Sequence, residues 1–156
     1  MNDSSTIKQL SLHGFTSGAI LFSHLANRIP YSVALLSTSK EIIFMNRSLE
    51  ALTGLSIADV QGISCHHIFR SNLCGHACPL DNMQVDTEPK CLEGDIINSN
   101  RERIPVKVSF APLKDIHGNL AGWMECFEDL RPLTGQESTN NAAYSFGPLI
   151  GHSAQI

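Results

Sequence analysis

The stretch 104–110 constrains this chain more than any other: Ile104, Val106, Val108 and Phe110 alternate with Pro105, Lys107 and Ser109. A period of two places the apolar set on one face, so the sequence predicts a half-buried strand. A β-prone run at 91–97 precedes it across a turn at Asn98-Ser99-Asn100, and a turn at 115–119 leads into a last strand over 120–130. Two shorter runs, 32–37 and 42–46, flank Thr38-Ser39-Lys40 and predict an opening hairpin. Five consecutive strands joined by turns or by a helical insert make an antiparallel sheet.

The remaining segments read as helices. Ile20, Leu21, His24, Leu25 and Arg28 fall near the helical repeat over 17–28, and Pro30 closes that segment, which predicts a lead-in helix. Its Ile20, Leu21 and Leu25 form an apolar stripe that a small domain cannot cover, so they are the expected contact of a homodimer. Leu49 and Leu52 share one face of a helix over 47–53, ended by Gly54 in a left-handed conformation. Ser56 and Asp59 have the spacing of a capping box, and Pro79 suits the first turn of a further helix. Helices set between the strands predict an α+β domain with short helices on one side of a five-stranded sheet.

At 156 residues and 42% hydrophobic composition the chain can build one core. We place an N-terminal extension at 1–16, the domain at 17–131, a Pro-, Ser- and Asn-rich linker at 132–145, and the start of a second domain at 146–156. Eleven basic against fifteen acidic residues, a formal charge of -4, leave no basic stripe for phosphates. Apolar runs are too short to span a bilayer and the N-terminus lacks a signal layout, so a cytoplasmic protein without a membrane partner is expected. Reducing conditions there disfavour structural disulfides, and five cysteines need another role.

Cys65, Cys74, Cys78 and Cys91 are separated by eight, three and twelve residues. Four soft thiolates held together would favour zinc or an iron–sulfur cluster. A reversible disulfide, or plain packing of buried thiols, are the other readings of the same residues. Cys78 precedes Pro79 and caps a predicted helix, where free N–H groups favour a thiolate. Gly75 would permit a tight return between Cys74 and Cys78, and a helical turn at 67–69 would bring Cys65 to them. Cys91 is the weakest member, because it shares strand parity with Glu93 and Asp95. His67 and His76 are further candidate ligands, with adjacent His66 and His67 expected to point apart. Cys126 reads as an apolar filler in a strand. No oxyanion site or orienting acid accompanies the thiols, so the chain is not read as an enzyme.

Asn46 followed by 47–54, ending in Thr53-Gly54, resembles the PAS family, as do Arg103-Ile104-Pro105-Val106, Ala111-Pro112-Leu113-Lys114-Asp115, Gly118 to Gly122, and the exit motif Phe127-Glu128-Asp129-Leu130. The resemblance implies a PAS fold and a sensory role. Cys65, Cys74 and Cys78-Pro79-Leu80 resemble a cysteine-bearing subgroup of PAS domains found in transcription activators. The tail 146–153, Phe-Gly-Pro-Leu-Ile-Gly-His-Ser, resembles the opening of the AAA+ module of sigma-54-dependent, NtrC-like activators. That likeness implies an ATPase, and contacts with sigma-54 RNA polymerase and DNA, only through parts beyond residue 156. The expected function is then signal sensing through the cysteine flap, by redox state, metal or a small ligand, with a rearranged dimer as output. A PAS domain that only dimerises, or the sensor of a histidine kinase, are the alternatives.

Overall fold

The computed structural model describes residues 9–10 and 20–133. Strands β1 (Gln9–Leu10) and β2 (Ile20–Leu21) form a two-stranded antiparallel ribbon, and helix α1 (Phe22–Ala26) follows. Then come β3 (Ser32–Leu36), β4 (Ile42–Met45), α2 (Arg47–Thr53), α3 (Ile57–Val60), α4 (Cys65–Phe69), two 3-10 turns (Asn72–Cys74 and Pro79–Asn82), β5 (Lys90–Ile97), β6 (Arg103–Lys114) and β7 (Leu120–Asp129). The last five strands make one antiparallel sheet in the order β4-β3-β7-β6-β5. The α+β architecture expected from the alternating strands is the one observed.

Strand parity decides what each face carries. Ile104, Val106, Val108 and Phe110 on β6 are buried, and Ile96, Trp123 and Phe127 join them on the same inner face. Leu49, Val60, Cys65, Phe69, Leu80 and Met83 cover that face from the helical segment and complete the core. Phe69 tilts onto Phe127 with ring centroids 4.7 Å apart. Pro112 is tolerated within β6 because β5 stops at the Lys90–Phe110 pair and leaves that edge without a ladder to break.

Asn46 locks the helical segment to the sheet. Fully buried, it accepts from Val33 N at 2.9 Å and Leu49 N at 3.1 Å, and donates to Tyr31 O at 2.8 Å and Ala26 O at 3.1 Å. One side chain thus caps α2, anchors β3 and fixes the exit of α1. Gly54 ends α2 with φ 69°, and a Cβ there would collide with Ser99, whose N–H donates to Thr53 O at 2.8 Å.

Three local expectations change. The lead-in helix is only Phe22–Ala26, so Ile20 and Leu21 belong to a strand that pairs with Gln9–Leu10 rather than to a helical stripe. Backbone pairing, which periodicity does not register, takes those two residues; Leu25 stays on the helix and is partly exposed. The Ser56 cap forms, accepting from Ala58 N at 3.2 Å, but Glu50 Oε1 rather than Asp59 closes the turn, accepting from Ile57 N at 2.8 Å. His66 and His67 do not diverge: their rings stand 5.4 Å apart on the exposed side of α4. The expected AAA+ start at 146–156, and the linker from residue 134 onward, lie outside the described residues.

Candidate functional site

Cys65 opens α4, with its N–H donating to Lys40 O at 2.9 Å, and faces the core. Helix α4 ends at Arg70 in a left-handed conformation, φ 49°, which turns the chain back over the sheet. Ser71 then caps the turn Asn72–Cys74, its Oγ accepting from Leu73 N at 3.2 Å. Asn72 Oδ1 accepts from Asp95 N at 2.9 Å, and Gly94 leaves room for Asn72 and Leu73 to lie directly on β5. These contacts aim the half-buried Cys74 at the inner face of the sheet.

Cys78 caps the turn Pro79–Asn82, as Pro79 implied, but a turn of four residues has little dipole to offer its sulfur. The nearby positive charge comes from Lys40, which pairs with Asp81. Asp81, and to a smaller extent Cys78, hold the Lys40 ammonium above its ordinary range against the effect of burial. Gly75 adopts an ordinary right-handed conformation, φ -68°, so the return from Cys74 to Cys78 does not draw on glycine's freedom.

Cys65, Cys74 and Glu125 line one small cavity with Phe69, Ser71, Val108, Phe110 and Phe127. Its volume is about 10 Å³, room for a single water. Glu125 is 5% exposed, and burial alone pushes its carboxyl up to about 8. Burial raises the Cys65 thiol strongly, with Glu125, Cys74 and Cys78 adding like charge. Cys74 is pushed up to about 11 by burial, then by Cys78 and Glu125, while Lys40 pulls the other way. The electrostatics therefore couple three thiols, one carboxyl and one ammonium.

The other candidates lie elsewhere. Cys91 is exposed on the outer face, in line with Ser109 and Cys126, so the sheet separates it from Cys65 and Cys74. His67 lines two shallow surface clefts with Arg70, and His76 is exposed. Among the described residues no group of three or more His, Cys, Asp and Glu side chains is set to hold a metal ion. Zinc or an iron–sulfur cluster shared by Cys65, Cys74, Cys78 and Cys91 does not fit this arrangement, because the sheet stands between Cys91 and the others.

Sequence reasoning missed Glu125. The signal was available, since Glu125 shares strand parity with Trp123 and Phe127 and so must point into an apolar core.

A second feature lies across the sheet. Phe22, Ala26, Ile29, Tyr31, Val33 and Met124 are among the residues lining an apolar groove of about 630 Å³ between α1 and the outer face. Phe22 packs edge-on against Phe44 at 5.3 Å, which seats α1 there.

The PAS domain family matches residues 30–132. The chain belongs to that family, whose members are sensory and signalling modules rather than enzymes. Solved structures share the fold. The PAS domain of an HTR-like protein from Haloarcula marismortui is 18% identical with a TM-score of 0.59, covering 69% of this chain and 88% of that one. A LOV protein of Rhodobacter sphaeroides is 16% identical with a TM-score of 0.60, covering 85% and 77%. The LOV domain of a blue-light activated histidine kinase from Erythrobacter litoralis is 19% identical with a TM-score of 0.56, covering 67% and 100%. No curated protein sequence matches the chain. Among the described residues no helix is long and apolar enough to cross a membrane.

Proposed function

We propose that this PAS domain is a cytoplasmic thiol redox sensor at the front of a sigma-54-dependent transcription activator. The observation that carries the sensing role is the convergence of Cys74 and Cys78 beside Lys40, with Cys65 and Glu125 behind them. Cys78 is partly exposed and lies beside Lys40, so in this reading it is the attacking sulfur. It attacks a small disulfide RSSR to give a mixed disulfide and one RS⁻. Cys74 then displaces the second RS⁻ from the Cys78 sulfur, so two protein thiols and RSSR become one protein disulfide and two RSH.

Ligand binding in the cavity beneath Glu125 is the weaker reading, since about 10 Å³ admits neither flavin nor haem. Output runs through β7, which carries Glu125 inward and Met124 and Cys126 outward into the groove. A second copy of the chain covers that groove and the exposed Leu21, Leu25 and Tyr31, and oxidation shifts the dimer geometry.

The test is to treat the 156-residue chain with a small disulfide and map its cysteines by peptide mass spectrometry. A Cys74–Cys78 linkage reversed by dithiothreitol supports the sensor. If all five thiols remain free at excess oxidant, Cys65, Cys74 and Cys78 merely pack, and the domain only dimerises. The activator context rests on the tail at 146–153. A phosphate-binding loop encoded after residue 156 supports it, whereas a helix bearing a phosphoacceptor histidine makes the chain a kinase sensor.

A further inference from the structure

We infer that Glu125 accepts the Cys74 proton as the Cys74–Cys78 disulfide closes, which makes closure depend on pH through a carboxyl. This rests on the thiol redox reading above. Three observations carry it. Glu125 is buried in an apolar wall between Phe110 and Ala34, its neighbours on β6 and β3. No described hydrogen-bond donor serves its carboxyl, and burial is the one cause of its raised proton affinity. It shares a cavity that admits about one water with Cys74, the sulfur that must lose a proton for the ring to close.

Burying a carboxyl costs folding free energy, and Glu125 meets that cost by holding its proton to a higher pH. The groups that act with it come from every element around the cavity. Cys65 on α4 and Cys74 on the turn Asn72–Cys74 face it, Cys78 and Lys40 lie beyond Cys74, and Cys126 sits on the opposite face of its own strand. Cys65 and Cys126 are held protonated by burial, and Cys78 is used as the attacking group. That leaves Glu125 as the acceptor for Cys74. In the closing step the Cys74 S–H proton moves to the Glu125 carboxylate, the Cys74 electron pair forms the S–S bond, and RS⁻ departs from Cys78 to take a proton from solvent.

The test uses single-mixing kinetics with a small aromatic disulfide whose thiolate absorbs, so that the two RS⁻ releases are seen as separate phases. In Glu125→Gln the first release, at Cys78, should be unchanged. The second should slow by about a hundredfold or more, the low end of a general base's contribution, and lose its rise with pH near 8. An unchanged or faster second release overturns the inference, because Glu125 would then act only as a negative charge that suppresses Cys74 ionisation. If the wild-type chain gives no second release at all, the thiol sensor reading itself fails. A carbon-13 titration of the Glu125 carboxyl checks the group directly in the folded wild type, and a midpoint in the ordinary glutamate range would also overturn the inference.

Discussion

Asp95 donates its backbone N–H to Asn72 Oδ1 at 2.9 Å, and this bond ties the turn that carries Cys74 to strand β5. The neighbouring Gly94 makes the contact possible. A Cβ there would lie 2.5 Å from Asn72 Oδ1 and 2.6 Å from Leu73 Cγ.

Gly94→Ala should therefore lift the turn from the sheet. Overpacking of this kind costs about 1–3 kcal/mol, read as a lower urea midpoint. Because Cys74 rides on the turn, disulfide yield with a small oxidant should fall too. Full yield in a destabilised protein would mean that Cys74 is placed by something other than this contact.

Glu125 predicts how stability changes with pH. Its folded carboxyl titrates near 8 against an ordinary 4.5, so the folded state binds the extra proton between those values. The stabilisation is complete below about 4.5 and is lost as pH rises through about 8, at no more than about 1.4 kcal/mol per pH unit. Urea unfolding at pH values from about 4.5 to about 8 checks this, and Glu125→Gln should flatten the profile over that window. A profile equally steep in both proteins would place the titrating group elsewhere.

Asn46→Ala removes two acceptor and two donor bonds and strands the buried Val33 N–H, while Ala26 O keeps its bond from Ile29 N. The expected cost is about 3 kcal/mol or more, a large share of a small domain's stability. A loss below about 1 kcal/mol would mean that water replaces the side chain.

The outer groove makes a prediction about assembly. Leu25→Glu puts a charge on the exposed side of α1 without touching the core. If a second copy covers that face, multi-angle light scattering should move from dimer to monomer. A wild-type chain that is monomeric at high concentration would remove the groove's proposed occupant.

Much of the fold was legible because its signals are local. The alternation at Ile104, Val106, Val108 and Phe110, the Thr53-Gly54 helix end and the Pro79 turn each follow from the geometry of a few adjacent residues. The same parity placed Cys91 on the outer face, where it stands. What the sequence determined was this set of strands, turns and faces, since steric and hydrophobic periodicity act within one element.

Only the tertiary structure decided the chemistry of the site. Lys40 reaches Cys78 from 38 positions away and Glu125 faces Cys74 from 51, by subtraction of their sequence numbers, because sheet order and the crossing of α4 bring β7 under the flap. Spacing among cysteines carries no information about such partners. The short ribbon that takes Ile20 and Leu21 from the lead-in helix has the same origin, for strand pairing depends on where another segment lies and a helical repeat does not record it.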